Sequence, residues 1–260
     1  MIIHKDESKP IIIRKNTLFS EWLGFPFYDE EQLNDVMNKV DTSLLKQPQN
    51  AYLDNGGAIR EGINGYRVNK EKFQEQMLQN LYQEGTTWVE PYTKIQYPRV
   101  NSELLSLIRK KQIGAFVTHF RKGNLERTAN IVLAAEAINN TVVFPGEKFS
   151  FNQTVGKRTK EKGYLPAPII VRGELSEGVG GGICQVSSTL FNAVDQAGVQ
   201  IVERYSHSRS VPYVKPGRDA TVSWYGPDFS FRNDRHQPLL IRAKVVGGSV
   251  DIRVFSSEDE

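Results

Sequence analysis

The sequence predicts an α+β protein in two parts: a small N-terminal α+β module, then a domain in which a cysteine-bearing helix leads into an antiparallel sheet. Three observations predict it. Up to about Val100 the apolar period changes from helical to extended and back, in the order helix, hairpin, helix, strand. A second helical stripe starts at Ile183, directly behind the glycines of "GVGGGICQVSSTLFNA". Beyond Val199 the chain breaks into short alternating runs separated by turn residues, the pattern of successive antiparallel strands.

Each element has its own signal. From Glu30 to Lys46, Leu33, Val36, Met37, Val40 and Leu44 share one helical face. "NAYLDNGGAIREGINGYRV" is a hairpin pattern with Asn55-Gly56 as its turn. Asn69 is a suitable N-cap for a helix that turns Phe73, Met77, Leu78 and Leu81 inward. "TWVEPYTKIQYPRV" is extended, broken at Pro91 and closed at Pro98. A short helix over "NSELLSLIRKKQ" makes residues 101–116 a linker between a module at 1–100 and a domain at 117–260. In that domain a helix runs from Asn124 to Asn140, and "TVVFPGEKFSFN" supplies two short strands around Pro145-Gly146. The helix behind Cys184 aligns Ile183, Val186, Leu190, Val194 and Ala197 and ends at Gly198. "VQIVERYSH", "DATVSWY", "FSFRN", "PLLIRAKVV" and "SVDIRVFSS" follow as strands, and an acidic "SSEDE" closes the chain.

Composition excludes several classes. A net charge of +3 over 260 residues is too small to argue for nucleic acid, though it suits an anionic wall or membrane surface. One cysteine excludes an internal disulfide or a thiolate metal cluster, and neither a metal nor a cofactor is expected. The apolar residues at the start are interrupted by Lys5, Asp6, Lys9 and Pro10, unlike a signal peptide. Either the chain is cytosolic or an export signal has been removed ahead of it; contact with a membrane would then run through an anchor outside this chain.

Cys184 is the residue to explain. A lone cysteine is most often a small buried hydrophobe. Here it sits beside the apolar stripe and in the first turn of a helix, where backbone N–H groups and the dipole favour a thiolate. Gly180, Gly181 and Gly182 remove side chains where a substrate carbonyl would approach. A thiolate nucleophile needs a base. His4 lies in the start of the chain, His119 has no partner residue nearby in sequence, and His236 falls in a turn. His207 ends the first strand after the cysteine helix, and Asp219 opens the next. Cysteine on a helix, then histidine, then an acid is the order of papain-like and transglutaminase-like thiol sites. An aspartate opening a strand is equally often a turn-former.

Several stretches together resemble the VanW family of bacterial cell-wall proteins: "FPGEKFSFNQTVGKRTKEKGYLPAPII", "GGGICQVSSTLFNA", "HSRSVPYVKPGRDATV" and "DFSFRN". The resemblance spans about half the chain, from near Arg127 to near Asn233. More loosely, "NAYLDNGGAIREGINGYRVNKEKF" resembles the peptidoglycan-binding module found ahead of such domains. The resemblance implies an extracytoplasmic, Gram-positive protein associated with glycopeptide antibiotic resistance. It also implies a link to L,D-transpeptidation, although the usual "HGC"-type signature is missing. On that reading Cys184, His207 and Asp219 are catalytic. Arg158, Arg209, Tyr213 and the three glycines contact peptidoglycan stem peptides, with Lys157 a further basic neighbour. A stem-peptide hydrolase and a non-catalytic binding or scaffolding protein remain alternatives, and the oligomeric state is open.

Overall fold

The computed structural model describes residues 2–3, 10–22, 25–171 and 174–257. His4 and the last three acidic-tail residues lie outside them. Among the described residues the chain is mixed α/β, with six α-helices and several mostly antiparallel sheets. It divides into two compact units: residues 1–52 with 60–102, and residues 53–59 with 103–260.

The first unit is built on helix α1 (Glu30–Leu44) and helix α2 (Lys70–Leu81). Asn69 caps α2 as its sequence suggests, its side chain accepting from the Lys72 N–H, and at α1 the Asp29 carboxylate accepts from the Gln32 N–H. Leu33, Met37, Val40, Phe73, Met77 and Leu81 form its core with Leu18, Val68 and Val89. The stretch read as one broken strand supplies two, Trp88–Val89 and Thr93–Gln96, the latter antiparallel to Gly65–Val68.

The second unit takes in the tip of the expected hairpin and most of the expected linker. Asp54 closes the tip by accepting from the Gly56 and Ala58 N–H groups, and Asn140 exchanges hydrogen bonds with both backbone groups of Leu53. Residues 103–116 are structural rather than connecting. Helix α3 (Ser102–Ile108) buries Leu105 and Ile108, and Lys111–His119 is the edge strand of a four-stranded antiparallel sheet. The other strands of that sheet, in order, are Ser249–Ser256, Leu239–Val246 and Thr141–Val143. Helix α4 (Leu125–Ile138) packs on this sheet, capped by Asn124 at its start. A short helix, α5 (Phe151–Val155), follows Lys148–Ser150, which belongs to a second sheet with Ser230–Arg232 and Gln200–Glu203. The strands around Pro145-Gly146 therefore enter different sheets and do not pair with each other.

Helix α6 (Ile183–Gln196) is the central element of the second unit, buried against the sheet and α4. Its approach to the edge strand is so close that a Cβ on Gly114 would stand 2.1 Å from the Ala193 carbonyl oxygen. Immediately before α6 the chain forms an antiparallel hairpin, Pro166–Val171 with Glu174–Val179, which the sequence pattern did not announce. "DATVSWY", expected as a strand, is irregular, because its backbone groups are bonded to α6 and to a neighbouring loop.

Candidate active site

Cys184 is the second residue of α6, whose N-cap is Gly182. The glycine turn ahead of it has packing reasons. Gly180 and Gly182 hold φ values of 91° and 104°, a region that side chains disfavour. A Cβ on Gly181 would lie 2.6 Å from the Ala167 carbonyl oxygen, so the turn is pressed against the hairpin backbone. Asn130 of α4, fully buried, locks this arrangement. Its side-chain nitrogen donates to the Leu165 (2.8 Å) and Gly181 (3.0 Å) carbonyls, and its oxygen accepts from the Leu165 N–H (2.8 Å). Gly180 and Gly182 border the cleft beside the sulfur, whereas Gly181 faces the hairpin.

The cleft encloses about 1520 Å³, larger than a typical small-molecule pocket and suited to an extended ligand. Cys184, His207, Thr221, Arg127, Arg158 and Tyr213 all line it. The sulfur is half-buried, 3.6 Å from the Val222 carbonyl oxygen and 3.8 Å from the Thr221 hydroxyl.

The structure brings together the three residues singled out as catalytic. His207 Nδ1 stands 2.6 Å from Asp219 Oδ2, and the same oxygen accepts from the backbone N–H of His207 at 2.6 Å. Their side chains are only 6% and 8% exposed. With Nδ1 committed to Asp219, Nε2 is the ring nitrogen left to act on the Cys184 thiol, whose titration is linked to that of His207. Burial pushes the thiol pKa up, but the hydrogen bond and charge of His207, with the Val222 backbone and Thr221 hydroxyl, pull it below its ordinary value. Burial pushes His207 down, while bonding and charge from Cys184 and Asp219 carry it above the usual range. Asp219, raised by burial, is lowered further by the backbone and ring N–H groups of His207.

Neither His207 nor Asp219 occupies the element expected for it. The strand stops at Glu203, so His207 lies in the loop beyond, and Asp219 lies in an irregular segment rather than opening a strand. That segment is held by side chains. Asn192 of α6 donates to the Arg218 carbonyl and Arg204 to the Asp219 carbonyl. Ser187 and Ser188 take both backbone groups of Ala220, and the Thr221 N–H donates to the Tyr205 carbonyl. Few polar backbone groups remain there for a ladder.

The remaining candidates are scattered. Arg158 stands close enough to the thiol for their charges to interact, and its guanidinium lies 5.8 Å from the Phe151 ring. Tyr213 lines the cleft, and burial holds its phenol well above the usual range. Lys157 sits at the rim over the Tyr225 ring. Arg209 is exposed and does not line the cleft. His119 lines the cleft, but its Nδ1 bonds the Ser249 hydroxyl; His236 is exposed in its turn. Sequence reasoning missed Arg127, Gln185, Asn130 and Thr221. Arg127 donates to Gln185 Oε1 at 2.7 Å, and Gln185 Nε2 donates to Thr118 Oγ1 and the His119 carbonyl. No local signal marks a charge 57 residues before the cysteine as its neighbour.

Cys184, His207 and Asp219, with Arg127 and Arg158, fall within 126–255, the stretch that matches the family described as VanW like protein. The uncharacterized protein YoaR of Bacillus subtilis (strain 168) is 55% identical over 235 residues, 90% of this chain and 78% of that protein. The chain belongs to the VanW family. The vancomycin B-type resistance protein VanW of Enterococcus faecalis (strain ATCC 700802 / V583) is 34% identical over 110 residues, 40% of each chain. No solved structure matches. In this VanW domain the conjunction of a low-pKa thiol, a raised imidazole and an orienting carboxylate has the parts of a nucleophile activated by a base.

Proposed function

We propose that the protein is an extracytoplasmic cysteine acyltransferase acting on peptidoglycan stem peptides, an L,D-transpeptidase that forms 3-3 cross-links. The observation that carries this reading is the Cys184–His207–Asp219 arrangement in a cleft large enough for a peptide. Membership of a family with a relative named for vancomycin resistance supports the wall as its place of action. The papain-like or transglutaminase-like order of the three residues supports thiol chemistry. The N-terminal unit serves as the peptidoglycan-binding module that its sequence resembles.

In the first half-reaction the Cys184 thiolate attacks the carbonyl between the third and fourth stem residues. The peptide C–N bond breaks, a thioester forms, and the leaving D-alanine amine takes the proton held on His207 Nε2. In the second, an acceptor amine gives a proton back to His207 and attacks the thioester. The new amide forms as the C–S bond breaks and the thiolate is regenerated. Asp219 keeps the ring oriented and stabilises it when charged. Arg158 is the first anchor for substrate carboxylates, with Tyr213 on the cleft wall.

Mass spectrometry of the protein incubated with purified muropeptides tests this. The expected result is an acyl adduct on Cys184, loss of D-alanine and a cross-linked dimer. Shortened stems without dimer make the enzyme a hydrolase. Binding without an adduct, unchanged in a Cys184→Ser protein, makes it a binding module.

A further inference from the structure

Two arginine side chains pack at the two ends of the glycine turn that presents Cys184. The Arg158 side chain occupies the space beside Gly180, where a Cβ would meet its Cβ and Cγ at 3.3 Å. The Arg127 side chain does the same at Gly182, where a Cβ would stand 2.9 Å from its Cγ. Both line the cleft, and both feel the charge of the thiolate.

Neither arginine is answered by a carboxylate of this chain among the described residues. Both terminal nitrogens of Arg158 are buried with no hydrogen-bond partner. The nearest acid acting on it, Asp228, spends its oxygens on the Ser150 hydroxyl and the N–H groups of Asn152 and Phe229. A buried guanidinium with unmade hydrogen bonds is unfavourable, so such a group is a standing demand for an anion. Arg127 is held differently. Its one terminal nitrogen rests on the neutral Gln185 amide, itself 1% exposed and fixed by Thr118 and the His119 carbonyl. A neutral partner aims the guanidinium without neutralising it. A charged fork in a low-dielectric cleft is suited to bidentate carboxylate binding.

We infer that Arg127 and Arg158 form a two-point clamp for an acyl donor that carries two carboxylates, one on each side of the carbonyl that Cys184 attacks. The inference rests on acyl transfer at Cys184 and narrows its donor. The leaving residue ends in a free α-carboxylate, and the residue before it carries a second carboxylate on its side chain, as a diamino dicarboxylic acid does. Arg158 meets its carboxylate by swinging its terminal nitrogens off the Phe151 ring into the cleft that its side chain already borders, an ordinary rotamer change on binding. A donor with only one of the two charges leaves one arginine unanswered and is discriminated against.

Calorimetric titration of the full-length Cys184→Ala protein tests the clamp without chemistry. The ligands are a tetrapeptide with a diamino dicarboxylic acid third and D-alanine last, its two mono-amides, and its di-amide. Amidating either carboxylate should weaken binding about tenfold or more. Arg127→Gln should abolish sensitivity to one amidation and Arg158→Gln sensitivity to the other, with thermal midpoints confirming that both variants fold. Less than twofold loss on amidation of either group, both sensitivities surviving in both variants, or no binding of the diacid would overturn the clamp. The amidated ligands test it on the parent side chains even if an arginine variant misfolds. Mass spectrometry of the Cys184 protein with the diacid tests acyl transfer separately: charge-dependent binding without a thioester leaves the clamp standing and removes the transferase reading.

Discussion

Helices α1 and α6 are nearly equal in length, 15 and 14 residues, and are used in opposite ways. Of α1, only Leu33, Met37, Val40 and Asp41 are buried, with Val36 and Leu44 partly buried against the same core and most of the rest in solvent. Of α6, eleven of the 14 residues are buried, among them Gln185, Ser187, Ser188, Thr189 and Asn192. Five buried polar side chains on one helix are tolerable only because each is hydrogen-bonded, and most of those bonds leave the helix. Helix α1 stabilises mainly by burying surface; among its buried residues Asp41 alone is polar, accepting from the Val68 N–H and pairing with Arg67. Helix α6 does that and also fixes the loops that carry the site, with Asn192 and the serines holding the segment around Asp219. A helix that is apolar on one side can be exchanged for another of the same pattern; one that holds loops by hydrogen bonds cannot.

The comparison is broken most severely at the thiol. In the parent protein, iodoacetamide labelling should rise with pH through a midpoint below that of a free cysteine, because the net shift on Cys184 is downward. The upward shift on His207 keeps the imidazolium charged above its usual titration, and the thiolate and imidazolium charges favour each other. His207→Ala removes the hydrogen bond and charge that lower the thiol. The midpoint should move up and the rate at neutral pH fall by on the order of tenfold. An unchanged profile would sever the link between the two residues.

Smaller effects sharpen the contrast between the helices. Gly181→Ala should destabilise by about 1–3 kcal/mol, since backbone of the hairpin must shift to admit the Cβ; chemical denaturation measures it. Asn192→Leu strips the loop of two bonds and strands the Arg218 carbonyl, for a loss of about 1–3 kcal/mol. It should also lower alkylation, as the segment holding Asp219 loosens. Lys39→Ala, on the exposed face of α1, should stay within about 0.5 kcal/mol in the same assay. Between these, Asn124→Ala removes the α4 cap for about 1 kcal/mol and should leave labelling of Cys184 unchanged.

What could be read from residue order is what local physics decides. Asn69 and Asn124 are short polar side chains that precede apolar periodicity, and the helices begin there. Cys184, His207 and Asp219 were legible because nucleophile, base and acid are few chemical types in a chain with one cysteine. The hairpin Pro166–Val171 with Glu174–Val179 was not, since Pro166 and Pro168 lack an N–H and read as loop. "DATVSWY" misled in the other direction. Its alternation is real, but the hydroxyls of Ser187 and Ser188 occupy the backbone groups that a strand would pair. Arg127 reaches the site only through α4 packing beside α6, a long-range fact that no spacing encodes.

One carboxylate oxygen of Asp219 holds both the backbone and the ring of His207, and this limits what the imidazole can do. The backbone bond keeps the carboxylate in place, and the ring cannot turn to offer its other face without releasing the Nδ1 bond to that same oxygen. Nε2 is therefore a fixed station, and every proton exchanged with a reactant must be exchanged at that one place. In acyl transfer the departing and arriving amines must each occupy it, and two groups cannot share it. If the proposed acyl transfer holds, the first product has to leave the cleft before the acceptor enters, and turnover would follow a ping-pong order imposed by a single aspartate oxygen.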